Sequence, residues 1–438
     1  MRILLTGRLK AHIFRSTGAT LLAFFLSLPA NVQAVAEPAH LPIAYLTKEQ
    51  AAPPALSNLD PVIRDSGIQG ARLAIEDNNT TGRFTHQHFT LEEVVVPLEG
   101  DVVQAFKTLA AKGYQHIVAR LSAADLVRIQ TVPEAADLLI YDVSTRNDAL
   151  REQECSAHVL HLLPSRAMRA DALAQYMLKK RWQNWFLVTG PSDNDRLYAA
   201  ALKRAAERFG MHIVEEKIWT HTFDARRTAQ SDIPVFTQGV DYDILIVADE
   251  AGLFGEYLAY RTWLPRPVAG TQGLVPTAWH RTHEQWGAVQ LQNRFHEQAG
   301  RWMNEEDYAA WLAVRAIGET ATRTGSVDHS RIKAYLLSDA FALAGFKGKK
   351  LSFRPWNGQL RQPVLLAAAR SLVAVAPLEG FLHQNNELDT LGYDEPESTC
   401  RLERTQRLQK SQEPRAAQKP HIELLCTKPP PFVCGPWY

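Results

Sequence analysis

Two adjacent acidic residues, Asp249 and Glu250, directly follow the apolar run Tyr242–Ala248. A run of this length and composition is typical of a buried strand. The two carboxylates should therefore lie at the carboxyl end of a strand, where open α/β sheets bind their ligands. One acid at that place could cap a helix, but two exceed what capping requires. We interpret the pair as part of a polar binding site.

Asn194 and Asp195 come after the apolar run Trp185–Thr189, from which the residues Gly190–Asp193 separate them. Their side chains would point towards a ligand at a second strand end. Asp195 fits a helix cap equally well, because a helical pattern begins beside it. Both interpretations stay open from the sequence.

The sequence contains no pattern that predicts a metal site. Three pairs of nearby histidines each lack an obvious third ligand, whereas zinc usually takes three or four. These pairs are His86/His88, His158/His161 and His280/His283. The acidic clusters Asp193/Asp195 and 305–307 are too short for a hard cation, which prefers clustered carboxylates. We therefore expect neither a bound metal ion nor a cofactor.

Motifs of common enzymes are absent as well. The sequence has no G-x-S-x-G, H-E-x-x-H or G-x-x-x-x-G-K-[ST] motif. Cys155 and His158 are a conceivable thiol–imidazole pair, but a disulfide accounts for Cys155 more simply. We expect no catalytic residue.

The four cysteines, Cys155, Cys400, Cys426 and Cys434, allow three pairings and include no C-x-x-C motif. In an oxidising compartment they can form disulfides. We favour Cys155–Cys400, because both residues lie within or at the edge of the folded body. Cys426–Cys434 would then close a small loop near the C-terminus.

The first 36 residues have the layout of a secretory signal peptide. They carry four basic and no acidic residues, an apolar run at Ala19–Leu28, and small residues before Ala34 and Ala36. The apolar run is shorter than the about 20 residues that span a membrane. We expect cleavage after Ala34 or Ala36, a periplasmic mature protein and no membrane insertion after cleavage. An uncleaved anchor helix is the alternative.

The formal net charge of +1 hides three zones. The first 36 residues carry +4 and residues 401–438 carry +4, which leaves −7 for the body between them. A mildly acidic body argues against nucleic acid as the partner. Residues 401–438 are rich in Arg, Gln and Pro and show no periodicity, so we expect a poorly ordered basic tail.

Short apolar strands alternate with amphipathic helices along most of the chain, which indicates βαβ units and parallel sheets. The first helix is predicted over Asp60–Asn78, and a helical section over Glu284–Gly325. The alternation forms two runs that meet near residue 160, so we predict an α/β fold of two doubly wound parallel-sheet lobes. Asn357-Gly358 between apolar runs predicts an antiparallel hairpin.

This layout resembles the type I periplasmic substrate-binding proteins of ABC transporters, the class that includes branched-chain amino acid-binding proteins. The strand IAYL, the helix ending AIEDNN and the hairpin LSFRPWNGQLRQPVLL stand where that class has its first strand, first helix and closing hairpin. A closer similarity is to the subfamily found beside pyrroloquinoline-quinone-dependent alcohol catabolism. Six runs carry it: LRxxxC at 150–155, HLLPSRAM at 161–168, PRPVAGTQGL at 265–274, GAVQLQNRF at 287–295, RPWNGQLRQPVLL at 354–366 and GFLHQNNELDTLGYDEPESTC at 380–400.

The resemblance implies two lobes joined by a multi-strand hinge, with a ligand held between them by hinge closure. Residues 37–158 with 279–343 would form lobe 1. Residues 161–273 with 346–392 would form lobe 2.

The resemblance also assigns ligand-binding residues. Ser122 and Ala123 match the helix-start turn that binds an α-carboxylate in this class, and Thr145 matches a second carboxylate contact. A plain helix cap at Ser122 and ordinary turn chemistry at Thr145 are equally good interpretations. Asp125, in the first turn of the same helix, argues against a simple amino acid. Trp279 belongs either to the cleft wall or to the core.

In the same class, acids at positions such as Asp195, Asp249 and Glu250 hold a ligand's ammonium group. Together these features predict the solute-binding component of an ABC importer. It would bind a small molecule and deliver it to a permease in the inner membrane, in connection with quinoprotein alcohol oxidation. The ligand itself stays open, with an alcohol-derived, cofactor-related or cationic solute as candidates.

A non-transporting periplasmic sensor or accessory factor for quinoprotein dehydrogenases is the alternative function. A solute binder should have a deep cleft with converging polar groups. An accessory protein should have a filled or apolar cleft.

Overall fold

The computed structural model describes residues 37–51, 62–220, 232–400 and 402. Two parallel sheets organise them. The first contains β1 (Ala39–Lys48), β2 (Gln87–Val96), β3 (His116–Arg120), β4 (Leu139–Asp142) and β5 (Val159–His161). Its strand order is β2-β1-β3-β4-β5, and every neighbouring pair is parallel.

The second sheet has the order β7-β6-β8-β9 and is also parallel throughout. Its strands are β6 (Asn184–Thr189), β7 (His212–Ile218), β8 (Ile244–Ala248) and β9 (Val268–Gly270). Every residue of β8 is buried, as expected for a continuous apolar strand covered on both faces.

Helices surround both sheets. The helices that accompany the first sheet are α1 (Ile68–Thr85), α2 (Val102–Ala111), α3 (Ala123–Gln130), α7 (Ala288–Ala299), α8 (Glu305–Thr324) and α9 (His329–Leu336). Those of the second are α4 (Arg166–Lys180), α5 (Asp193–Phe209) and the single turn α6 (Gly255–Leu258). None of the helices in the described ranges is long and apolar enough to cross a membrane.

Alternate residues of β1 show that the first sheet is covered on both faces. Ile43 and Tyr45 enter one apolar cluster with α1 and α8, and Ala44 and Leu46 enter another with α2 and α3. This is the period-two pattern of a strand. The second sheet behaves alike, because neighbouring residues of β6 enter different apolar clusters. The predicted class of two doubly wound parallel sheets is confirmed, while the lobe boundaries stay predictions.

Helices α1 and α8 join segments that lie far apart in the sequence, and small residues allow their close approach. A Cβ atom on Gly70 would lie 1.8 Å from the carbonyl oxygen of Asp307. A Cβ atom on Gly318 would lie 2.2 Å from the side chain of Asn78. Larger residues at these two positions would push α8 away from α1, and with it the start of α8.

Two small antiparallel sheets combine strands from before and after the helical section. One has the order β10-β14-β15 and the other the order β11-β12-β13. Their strands are β10 (Val275–Thr277), β11 (Leu343–Ala344), β12 (Lys350–Phe353), β13 (Leu360–Arg361), β14 (Val364–Ala368) and β15 (Ser371–Ala376). The predicted hairpin at Asn357-Gly358 is confirmed, since β12 pairs antiparallel with β13 across that turn.

Two helix predictions need correction. Helix α1 begins at Ile68 rather than Asp60, because Gly67 precedes it with a φ of 85° and residues 62–66 are not helical. The helical section Glu284–Gly325 is divided into α7 and α8 by Gly300, whose φ of 68° ends α7 in the left-handed conformation.

A disulfide joins Cys155 to Cys400, with Cα atoms 6.0 Å apart, as predicted. Glu152 reinforces the junction, because its carboxylate accepts hydrogen bonds from the Ser398 hydroxyl at 3.0 Å and the Thr399 amide at 2.6 Å. The predicted signal peptide, the basic tail and the Cys426–Cys434 pair lie outside the described residues.

Replacing both bridged cysteines by serine (C155S/C400S) should lower the free energy of unfolding by about 2–5 kcal/mol. The bridge spans 245 residues, so its loss restores much conformational freedom to the unfolded chain. Urea denaturation measures the effect. The C426S/C434S variant is the control, and an equal loss of stability there would contradict the dominant role of the Cys155–Cys400 bridge.

Candidate functional site

A cavity of about 300 Å³ lies at the carboxyl ends of strands from both parallel sheets. Arg146 enters its wall from the segment after β4, and Asp249 and Glu250 enter from the segment after β8. Arg169 of α4 and Tyr198 of α5 complete the charged and aromatic part of the wall. Gly270, Thr271, Gln272, Val275 and Pro276 also line it.

Glu305, the first residue of α8, connects the two halves of this wall. Its carboxylate accepts hydrogen bonds from the Nη2 atoms of Arg146 and Arg169. The Thr277 hydroxyl donates to it at 3.0 Å and the Ala278 amide at 3.2 Å. Burial alone would raise the pKa of Glu305, but the two arginines and these hydrogen bonds outweigh it and hold that pKa well below its usual range.

Glu250 forms a second ion pair beside the cavity. Arg166 donates through Nε at 3.0 Å and through Nη2 at 2.6 Å to one carboxylate oxygen of Glu250, and its Nη2 also reaches Asn194 Oδ1 at 3.0 Å. Arg166 is buried, so this pair is poorly screened by water. The guanidinium of Arg166 thus occupies the place near Glu250 that an ammonium group of a ligand would take.

Asp249 is buried, and its carboxylate is hydrogen-bonded to backbone amides. It accepts hydrogen bonds from the amides of Leu253 at 2.9 Å, Phe254 at 2.9 Å and Gly255 at 2.6 Å. Asp249 therefore shapes the loop before α6. The structure places the predicted pair Asp249 and Glu250 in the cavity wall, with both carboxylates already engaged by protein groups.

Ser122, Ala123 and Thr145 do not line the cavity. Ser122 is exposed and caps α3: its hydroxyl accepts from the Asp125 amide at 3.1 Å and donates to the Asp125 carboxylate at 3.0 Å. The Thr145 hydroxyl donates to the carboxylate of Asp142, and the Thr145 amide donates to the same group at 2.9 Å. In this conformation both side chains have local structural partners.

Asn194, Asp195 and Trp279 are also outside the cavity lining. Asp195 is fully buried in the capping box of α5, where it accepts from the Ser192 amide at 3.0 Å. Trp279 belongs to the core and stacks on Tyr308 with ring centroids 4.3 Å apart. Ligand binding by these predicted residues stays a prediction.

Sequence reasoning missed Arg146, Arg169, Tyr198 and the pairing role of Glu305. One signal was readable for the arginines of α4. Arg166 and Arg169 stand in the first turn of a helix, where the helix dipole disfavours positive charge. Such a placement indicates that nearby acids or an anion compensate the charge.

The cavity wall contains buried hydrogen-bond donors that have no acceptor among the residues described here. They are the Nε atoms of Arg146 and Arg169 and the hydroxyl of Tyr198. Tyr198 is 2% exposed and Arg169 is 8% exposed. Burial raises the pKa of Tyr198, so its hydroxyl stays protonated and can donate. In the described ranges, no group of three or more His, Cys, Asp or Glu side chains is arranged to hold a metal ion.

The architecture is the type I fold of periplasmic ligand-binding proteins of ABC transporters. A branched-chain amino acid ABC transporter periplasmic ligand-binding protein from Burkholderia xenovorans LB400 superposes with a TM-score of 0.62, at 15% identity over 76% of this chain and 95% of its own. The leucine-, isoleucine-, valine-, threonine- and alanine-binding protein from Brucella ovis, in a closed conformation, gives 0.57 at 16% identity over 76% and 89%.

A solute-binding protein of an ABC transporter from R. palustris, in complex with benzoate, gives a TM-score of 0.56 at 11% identity over 82% of this chain and 99% of its own. A scan against models of protein families finds no match, and a search of curated proteins finds none. Likeness at these identities establishes the fold.

Replacing Glu305 by glutamine (E305Q) should lower the free energy of unfolding by about 1.5–3 kcal/mol at pH 7, because Arg146 and Arg169 lose the charged acceptor that compensates them. The pKa of Glu305 is lower in the folded than in the unfolded chain. Its contribution is therefore complete above the unfolded pKa of about 4.3 and is lost as the pH falls below it. Urea denaturation between pH 3 and 8 measures both effects.

The E319Q variant is the matched control on the same helix. Glu319 pairs with the exposed Arg323 at 2.8 Å and only loosely with Arg315, at 3.7 Å. Exposed pairs contribute about 0–1 kcal/mol. A stability difference between wild type and E305Q that does not shrink below about pH 4 would show that the charge of Glu305 is not its source.

Proposed function

We propose that this chain is the periplasmic solute-binding component of an ABC importer. It binds one small molecule in the cavity between the two parallel-sheet halves and delivers it to a permease in the inner membrane. The observation that carries the proposal is the composition of the cavity wall. Arg146 comes from the half built on the first sheet, and Arg169 and Tyr198 come from helices of the second. Glu305, also from the first half, lies behind the lining and pairs with both arginines.

A cavity walled by two halves supports binding by closure. Arg169 lies on α4, whose core cluster belongs to the second sheet, and Glu305 begins α8, whose core cluster belongs to the first. Their ion pair exists only while the halves are together, so opening the cleft exposes both charges to water. A solute that contacts both halves then favours the closed form by its differential affinity for it.

The proposal includes no catalytic step. The charged groups of the wall are engaged in ion pairs or loop hydrogen bonds, which suits recognition of a solute. The neighbours with this fold are ligand-binding proteins, and their ligands include leucine in the protein from Desulfitobacterium hafniense. A connection with quinoprotein alcohol oxidation is the finer part of the proposal, and it rests on the sequence resemblance alone.

A thermal-shift screen of the purified mature protein tests the function. The panel contains branched-chain amino acids, short alcohols, short carboxylic acids, pyrroloquinoline quinone, Ca²⁺ and a lanthanide ion. At 100 times its dissociation constant a ligand stabilises the folded state by about 2.7 kcal/mol. We expect a saturable rise in melting temperature with one organic class, accompanied by a smaller radius of gyration in small-angle X-ray scattering.

Arg169→Gln should weaken this response, because it removes a charge that closes the cavity. Arg196→Gln is the matched control: Arg196 lies on α5, is 58% exposed and pairs with Asp193. A flat response to every organic member of the panel would contradict the importer function and favour the sensor or accessory factor. A response to Ca²⁺ or the lanthanide alone would contradict an organic solute.

A further inference from the structure

We propose that the solute is a small organic acid bound as its anion, whose carboxylate accepts hydrogen bonds from Tyr198, Arg169 and Arg146. This inference rests on the proposed solute-binding function and names the class of solute. It differs from the amino acid that the fold class suggests, because the described part of the wall has unpaired donors for a carboxylate, while both of its acids already have protein partners.

Three hydrogen-bond donors of the cavity wall are unpaired in the described structure. A guanidinium carries five N–H groups, and Glu305 takes only the Nη2 end of Arg146 and of Arg169. The Nε groups of both arginines and the Tyr198 hydroxyl lack an acceptor among the described residues. Leaving a buried donor unpaired is unfavourable. The three donors at one cavity therefore indicate an acceptor-rich ligand, which approaches the Nε groups as the wall adjusts around it.

The two acidic residues of the wall already have protein partners. An amino acid needs a carboxylate in the protein to pair with its ammonium group, and Asp249 and Glu250 are the acidic residues of the wall. Three backbone amides occupy Asp249, and Arg166 occupies Glu250 from within 3.1 Å. An incoming ammonium group would have to share Glu250 with the guanidinium of Arg166, so its charge would be only partly compensated. The wall thus disfavours a ligand that carries an amine.

The volume of the cavity and the uncharged part of its wall indicate a small solute. A cavity of about 300 Å³ lies at the lower end of the range for small-molecule sites. Val275, Pro276 and two glycines add apolar or open surface to the wall. A short hydrocarbon chain or ring attached to one carboxylate fits a wall that combines unpaired donors with such surface.

Matched ligand sets test the inference by isothermal titration calorimetry on the full mature chain. One set is 4-methylpentanoate, leucine and 4-methylpentan-1-ol, which share a skeleton and differ in the carboxylate and the amine. A second set is butanoate, 2-aminobutanoate and butan-1-ol. Sulfate and phosphate are included as inorganic anions. We expect saturable binding of a carboxylate and binding at least tenfold weaker for its amino acid and alcohol counterparts.

Tyr198→Phe is the decisive variant, because it removes only the hydroxyl. We expect it to weaken carboxylate binding about tenfold or more, as the loss of a hydrogen bond to a charged group does. The melting temperature without ligand should be unchanged or higher, since the hydroxyl is buried and has no partner. Tyr176→Phe, on α4 and away from the cavity lining, is the control and should bind as the wild type does.

The other possible results distinguish failure of the organic-acid inference from failure of the proposed solute-binding function. Tighter binding of an amino acid or an alcohol than of its carboxylate overturns the anion inference and leaves solute binding intact. Binding of sulfate or phosphate at the same affinity as the carboxylates overturns an organic acid in favour of an inorganic anion. Absence of binding for every member overturns the inference and the solute-binding function together. Unchanged affinity in Tyr198→Phe overturns the assignment of the hydroxyl.

Discussion

The first turn of α8 is the constraint on which the arrangement of the molecule depends. Its three consecutive acids each reach a different partner. Glu305 binds the two arginines of the cavity wall, Glu306 accepts from Arg120 at 2.7 Å, and Asp307 closes the capping box of α8. The partners of Glu305 lie 159 and 136 positions earlier in the chain. One helix start thereby fixes the relation of segments that are adjacent only in the folded protein.

Buried arginines hold the segments that run between the two sheets. Arg151, 2% exposed, donates to the Gln359 side chain at 2.9 Å and to the Thr145 carbonyl at 2.9 Å. Arg354, 1% exposed, donates to Asp389 at 2.8 Å and to the Leu391 carbonyl at 2.7 Å. Burying a charge is costly unless it is fully paired. Such joints accept few alternative geometries, because each guanidinium needs its acceptors in fixed directions.

Local and periodic features of the fold were predictable from the sequence. Strand-helix alternation indicated two parallel sheets, Asn357-Gly358 indicated the hairpin, and the position of the cysteines indicated the bridge at Cys155. The start of α1 was placed too early, because the apolar residues at helical spacing begin at Ile68 and not at Asp60. Val62, Ile63, Ser66 and Gly67 are weak helix formers, in agreement with a helix that begins only after Gly67.

The candidate site was predicted only in part, for a related reason. Asp249 and Glu250 were found because they follow a strand directly, which is a local signal. The role of Arg146 and Arg169 depends on their ion pairs with Glu305. Because Glu305 lies far from both in the sequence, no local pattern predicts these pairs. The resemblance to a family assigned Ser122 and Thr145 by position, whereas the structure gives these side chains to Asp125 and Asp142. Ion pairs between residues that are distant in the sequence cannot be predicted from local sequence patterns.

The bridge between Cys155 and Cys400 also orders events in time. During synthesis the chain emerges from its N-terminus, so Cys155 waits for 245 further residues before its partner exists. Both parallel sheets and the antiparallel strands are complete in sequence by then. A chain cut short before Cys400 contains all of these strands but keeps an unpaired thiol at Cys155. The disulfide can therefore form only in a chain that has been synthesised as far as Cys400.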